Sequence, residues 1–265
     1  MAFQTSRDRL FAPLMGCLIG SAWLILAFWS QSPYARYLDH GRWTDLGLAA
    51  PICSALPGGR ILVPALLYGG GWVLMIAAMM LPTTMPLLNR FNRMTASRAD
   101  RRELIALLIA GYLLAWIGFG LTAHLCDRLV HSAVAATPWL ARHGWVLGAG
   151  VLGIAGGFQF SAVKYRCLDR CRSPLGFLIG HWRGVAPGRE ALRLGLSHGL
   201  FCIGCCWAMM LLMFVVGTGN LGWMLALAAV MAMEKTMPWG RRIGRPLGVG
   251  LLGWAAVEMG AGLLA

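Results

Sequence analysis

The chain has 265 residues, 58% hydrophobic and only 12% charged, whereas soluble domains carry about 25% charged residues. That shortfall excludes a disordered chain and argues against a soluble globule. The formal net charge of +13 would suggest nucleic acid in a soluble protein, but no basic stripe interleaved with aromatics accompanies it, so nucleic acid is not an expected partner.

Long runs without Asp, Glu, Lys or Arg set the class. Arg9 to Arg36 encloses 26 such residues, Arg60 to Arg90 encloses 29, Glu103 to Asp127 encloses 23, Arg142 to Lys164 encloses 21 and Arg193 to Glu234 encloses 40. Roughly 20 apolar residues cross a bilayer as a helix. The expected fold is therefore all-α: a polytopic helical transmembrane bundle of about seven spans in one domain, residues 1–265. In chain order the spans fall at about 10–30, 62–87, 104–124, 144–163, 197–216, 221–237 and 246–264. The first follows Arg7 and Arg9 and could be read as a secretory signal, but it is long and no small-x-small cleavage site follows, which favours a retained helix. The stretch from Leu46 to Gly59 is apolar but short and broken by Pro51 and Pro57, so it reads as an external interfacial or re-entrant segment. The 40-residue run divides at Gly217-Thr218-Gly219-Asn220, residue types that tolerate a tight reversal.

Charge orients the spans. Eighteen Lys and Arg fall in the N-terminal tail and the connections 88–103, 164–196 and 234–245, against five on the opposite side. The positive side is expected to be cytoplasmic, which puts the N-terminus inside and the C-terminus outside. Glycines recur within or beside the later spans: Gly153, Gly156 and Gly157, then Gly195 and Gly199, then Gly244 and Gly248. Small residues near four apart let membrane helices approach closely.

The eight cysteines are unevenly placed. Cys17, Cys53 and Cys126 are isolated. Cys167 and Cys171 form C-x3-C in the long cytoplasmic connection. Cys202, Cys205 and Cys206 sit inside the fifth span, so a disulfide scaffold is not expected. His198 precedes Cys202 by four, and the cysteines follow at helical intervals, so one helix face carries an imidazole and three thiols. Met209 continues that face. Soft sulfur ligands select Cu(I). One helix cannot close a site alone, and depth matching offers Met79 and Met80 near the inner end of the second span as further ligands. Pro82 and Pro86 would kink that helix and free backbone carbonyls. Cys167 and Cys171 are weaker candidates, because a second pair to complete a zinc site is missing from their loop.

Two carboxylates complete the metal candidates. Glu258 falls near the centre of the seventh span, where a buried charge is costly and usually functional. Glu234, next to Lys235, reads as a marker of the cytoplasmic boundary, so Glu258 is expected to matter more. His124, His131 and His143 lie in the outer connection between spans three and four and could capture metal there. There is no P-loop, hydrolase triad or dinucleotide fingerprint, so an enzyme is not the first expectation.

The string His198-Gly199-Leu200-Phe201-Cys202-Ile203-Gly204-Cys205-Cys206-Trp207-Ala208-Met209-Met210 resembles the signature of the DUF2182 family of bacterial inner-membrane proteins. Met79-Met80-Leu81-Pro82-Thr83-Thr84-Met85-Pro86 fits it too, as do Lys164 through Cys167-Leu168-Asp169-Arg170-Cys171-Arg172-Ser173-Pro174 and Glu234-Lys235. The resemblance covers about residues 70 to 260. It implies a multi-span fold in the bacterial cytoplasmic membrane and metal binding, and it supplies no reaction. One departure is Phe158-Gln159, where Tyr-Gln would be expected, so a phenol hydroxyl is missing here.

The leading functional expectation is an integral inner-membrane protein handling a soft metal such as Cu(I) through a Cys/Met/His cluster in the fifth span. Its partners would be the lipid bilayer, the metal ion and a metallochaperone or metalloenzyme. Two alternatives stand beside it. One is a membrane thiol–disulfide oxidoreductase using Cys202, Cys205 and Cys206, since Cys202-x-x-Cys205 has redox-pair spacing. The other is a non-catalytic accessory or assembly subunit in which the sulfurs only pack.

Overall fold

A computed structural model describes residues 6–32, 59–216 and 220–264; the expected external segment 46–58, Cys53 and the Gly217-Thr218-Gly219 turn lie outside the described residues. Described residues are helical, with no strand among them. In chain order the helices are α1 (Ser6–Ser30), α2 (Gly59–Met79), α3 (Leu81–Met94), α4 (Arg101–Ala136), α5 (Pro138–Arg142), α6 (Trp145–Phe158), α7 (Ala162–Arg172), α8 (Pro174–His181), α9 (Pro187–Val216), α10 (Leu221–Thr236) and, after a 3-10 turn at Gly240–Arg242, α11 (Gly244–Leu264).

Four helical stretches are long and apolar enough to cross a membrane: Phe11–Ser30, Arg101–Ala136, Pro187–Met213 and Gly240–Leu264. Two bent pairs raise the number to as many as six, α2 with α3 at 68° and α6 with α7 at 62°. The protein is a polytopic membrane protein. The expected sixth crossing, 221–237, forms α10, which has 16 residues. At 1.5 Å per residue it is about 24 Å long, short of the roughly 30 Å hydrocarbon core.

The first bend has a covalent cause. Pro82 has no N–H to give the carbonyl of Ala78, four residues earlier. The indole N–H of Trp23 on α1 takes that carbonyl instead, at 3.1 Å. Thr83 closes the joint through its own N–H and hydroxyl, both donated to the Met80 carbonyl at 3.1 and 2.7 Å. The second bend follows Gly156-Gly157. There Ser161 caps α7, its hydroxyl accepting from the N–H of Val163 at 3.1 Å. The expected fourth span therefore stops at Phe158, and its inner end turns away as a separate helix. Asn220 caps α10 in the same manner, accepting from the N–H of Trp223 at 3.2 Å.

α9 is the central element and packs most extensively on α4, with α7, α6, α10 and α8 around it. Glycine sets the α4–α9 separation. A Cβ on Gly195 would collide with the Leu108 carbonyl, and one on Gly111 with the Leu192 carbonyl. A Cβ on Gly199 would lie 2.7 Å from the Cβ of Ala115. Gly156 and Gly248 do the same between α6 and α11, whereas Gly153 and Gly157 face open space. The core between these helices is rich in sulfur: Met75, Met79, Met80, Met209, Met210, Met213, Met224 and Met231 are all buried together with Cys202, Cys205 and Cys206.

Candidate functional site: a thiol cluster around a buried lysine

The three α9 cysteines are almost fully buried, at 0%, 2% and 1% exposure for Cys202, Cys205 and Cys206. The thiols of Cys205 and Cys206 both donate to the Cys202 carbonyl, at 3.0 and 2.8 Å, as i−3 and i−4 partners on a helix can. Four other elements then converge on this turn.

The joint between α2 and α3 brings Met80, whose Sδ lies 4.0 Å from the Cys206 thiol. α4 brings Tyr112, its hydroxyl 3.2 Å from Cys202 Sγ and 3.5 Å from the Met80 carbonyl. α7 brings Cys171, whose thiol is near enough to that of Cys205 to interact with it. The same helix seats Cys167 against Gly204, where a Cβ would fall 2.6 Å from the sulfur. The C-x3-C pair expected in a loop is thus a helical i, i+4 pair facing α9. α10 brings Lys235, which donates to Cys202 Sγ at 2.9 Å, to Thr83 Oγ1 at 3.4 Å and, at the limit of reach, to Cys206 Sγ at 4.0 Å. One ammonium thus stands among the thiols, in a pocket floored by the Met80–Thr83 bend.

A second polar layer fixes the lysine's helix. Lys164 on α7 is fully buried and donates to the Glu234 carboxylate and to Gln159 Oε1. Arg172 donates to the Glu234 carbonyl and, at 3.1 Å, to that of Pro238. Glu234 pairs with Lys164, not with its neighbour Lys235. Buried charges need such partners, because desolvation of an isolated ion costs several kcal/mol. Phe158, at the position of the missing phenol, packs edge-on against Trp207 with ring centroids 5.0 Å apart.

The expected site residues divide accordingly. Cys202, Cys205, Cys206, Met80, Cys171 and Cys167 come together. Met79 and Met209 are buried in the same core as the thiols. His198 is buried one turn before Cys202, its ring beside Tyr112 and Phe177 and its Nδ1 without a hydrogen bond. Glu234 is in the polar layer next to the cluster. Glu258 is apart, partly exposed on the outer face of α11, where it accepts from the indole N–H of Trp254 at 3.1 Å. Of the two glutamates, Glu234 is the one buried within the protein, 3% exposed. His143 stacks on Trp139 and bonds to that residue's carbonyl at 2.7 Å.

Thr83, Lys164 and Lys235 fall within the stretches that carry the family resemblance but were not expected as site residues, and Tyr112 was not singled out. A further signal was present for the two lysines. The buried stripe of α10 runs Met224, Leu227, Ala228, Met231, Glu234 and Lys235, so both charges continue the apolar periodicity instead of ending it. On α7, Lys164, Cys167, Leu168 and Cys171 form a similar stripe.

Chemically, clustered thiols with a thioether suit a soft monovalent cation better than a hard divalent one. Among the described residues, no three His, Cys, Asp or Glu side chains stand in ready-made ligand geometry around one point. The thiols point to carbonyls, to one another and to the lysine. A family model described as PpoB2, copper chaperone, matches residues 69–258, which includes every residue of the cluster; it is the DUF2182 family under its present name. No similar curated protein and no similar solved structure was found.

Proposed function

The chain belongs to the PpoB2 copper chaperone family, and from that premise we propose that its cargo is Cu(I), held by a subset of the sulfurs of Cys202, Cys205, Cys206, Cys171 and Met80. The observation that carries this reading is the convergence of these sulfurs from three separate elements onto one turn of α9. Thiolate is the ligating form, and loading releases protons as thiols become ligands.

Lys235 gives the site its character as a carrier. Its ammonium already supplies one positive charge among the sulfurs, bonded to Cys202. An incoming cation must displace it, because like charges a few ångströms apart in a weakly polar interior repel by several kcal/mol. When the metal leaves, the lysine returns and covers the sulfurs. Holding and releasing are therefore both supported by one side chain. His198, buried beside the cluster with an unused ring nitrogen, is read as a neighbouring ligand during entry or exit. The recipient is a metalloenzyme or a second metallochaperone, and the chain acts from the cytoplasmic membrane.

X-ray absorption at the copper edge tests the ligand set. The protein loaded with one equivalent of Cu(I) under reducing conditions is expected to show a first shell of sulfur only. A shell dominated by nitrogen or oxygen would contradict it.

A further inference from the structure

We propose that the cavity of about 600 Å³ lined by Tyr165, Pro238, Arg241, Arg242 and Arg245 binds the phosphate headgroup of an anionic phospholipid. The site lies outside the thiol cluster and does not depend on the copper reading. Three guanidinium groups converge there from the 3-10 turn and the first turn of α11. Guanidinium forks match phosphate oxygens in pairs, which a single ammonium cannot do.

Arg241 is held in place. It bonds to both oxygens of Asp169, at 3.2 and 3.1 Å, and lies over the Tyr165 ring, 5.3 Å from its centroid. Arg242 and Arg245 are exposed, with no side-chain partner among the described residues. Asp169 offsets one of the three positive charges. Glu234, close behind Gly244, is committed to Lys164, so the cavity keeps a net positive charge. Gly244, buried between Arg242 and Arg245, lets the Tyr165 hydroxyl approach closely: a Cβ there would sit 3.0 Å from that hydroxyl and 3.6 Å from Glu234 Oε1.

The surroundings choose between a lipid and free phosphate. Trp239, Met237, Phe160 and Val163 stand exposed at 52%, 41%, 47% and 55%. Met237 and Trp239 flank the lining residue Pro238. Phe160 lies against Gly248, one turn beyond Arg245. A basic hollow rimmed by exposed apolar side chains at a helix end suits a headgroup with its acyl chains, and basic pockets between membrane helices are known to take anionic headgroups. Free phosphate would use the arginines and leave the rim in water.

Thermal unfolding of the full chain in detergent tests this. It compares added phosphatidylglycerol, phosphatidylcholine and inorganic phosphate, for the parent, for Arg242→Gln with Arg245→Gln, and for a control with Arg189→Gln and Arg193→Gln, two exposed arginines outside the cavity. Phosphatidylglycerol is expected to raise the midpoint of the parent and the control by several degrees more than phosphatidylcholine does, and to lose that advantage in the cavity variant. Arg242→Lys with Arg245→Lys should recover part of it, since charge returns without the fork. An equal phosphatidylglycerol effect in the cavity variant and the control, or no advantage over phosphatidylcholine in the parent, would overturn the proposal. Protection by inorganic phosphate as large as that by phosphatidylglycerol would overturn the assignment to lipid.

Discussion

A lysine ammonium taken out of water costs several kcal/mol unless its hydrogen bonds and charge are matched. Lys235 finds a cysteine sulfur at 2.9 Å and a threonine hydroxyl at 3.4 Å, and among the described residues no carboxylate bonds to it. It is therefore the charge with most to gain from leaving, and the one a bound Cu(I) would expel. Lys235→Met keeps the volume and adds a thioether. The variant is expected to load copper with the parent's stoichiometry but to release it to a Cu(I) chelator at least about tenfold more slowly, equivalent to about 1.4 kcal/mol. Release at the parent's rate would remove the lysine from the transfer step. The glutamates form the complementary pair. Glu234→Gln leaves the Lys164 ammonium buried without its counter-charge and should destabilise the fold by about 3 kcal/mol. Glu258→Gln, partly exposed and bonded to Trp254, should stay within about 0.5 kcal/mol. Detergent-to-denaturant unfolding of both variants measures the difference.

At the scale of elements, α7 is the part that sequence reading placed least well. Its charge density, with Lys164, Arg166, Asp169, Arg170 and Arg172 in eleven residues, suggested a solvated connection. The helix instead turns 62° from α6 and lays its Lys164–Cys167–Leu168–Cys171 face on α9. Cys171→Ser is accordingly expected to weaken Cu(I) retention more than Cys167→Ser, because Cys171 stands beside the Cys205 thiol while Cys167 rests on Gly204. A competition titration against a chelator reads the order directly. The α9 cluster was legible, because His198, Cys202, Cys205 and Cys206 declare a helix face by spacing alone. The helix-packing glycines Gly195, Gly199, Gly156 and Gly248 were legible for the same reason. The bend at Met80 was half legible: Pro82 announces a freed carbonyl, but only the fold shows Trp23 taking it. Lys235 was missed because a charge after an apolar run normally marks the membrane boundary. The competing fact, that Glu234 and Lys235 prolong the stripe set by Met224, Leu227 and Met231, becomes decisive only once a partner such as Lys164 is known to be near. That partner is 70 residues away in sequence.

At the scale of the molecule, the short α10 and the two bent helix pairs carry the polar layer and part of the sulfur site, while the four long helices form most of the frame. Short as it is, α10 runs back beside α9, its Lys235 meeting Cys202, and so counts as a crossing; with it, the excess of Lys and Arg in the connections 88–103, 164–196 and 234–245 predicts that the polar layer opens to the cytoplasm and that the C-terminus is external. A reporter fused after Ala265 that is active only outside the cytoplasm would agree, and one active only inside would reverse the topology. The copper reading itself rests on whether these sulfurs hold metal or merely fill space between glycine-lined helices. Serine is nearly isosteric with cysteine, so packing alone would survive its substitution. The decisive measurement is elemental analysis of the detergent-purified protein, loaded with Cu(I) under reducing conditions, beside a folded Cys202→Ser, Cys205→Ser, Cys206→Ser variant. Stoichiometric copper in the parent that is lost from the variant is the predicted result; equal copper in both would contradict it.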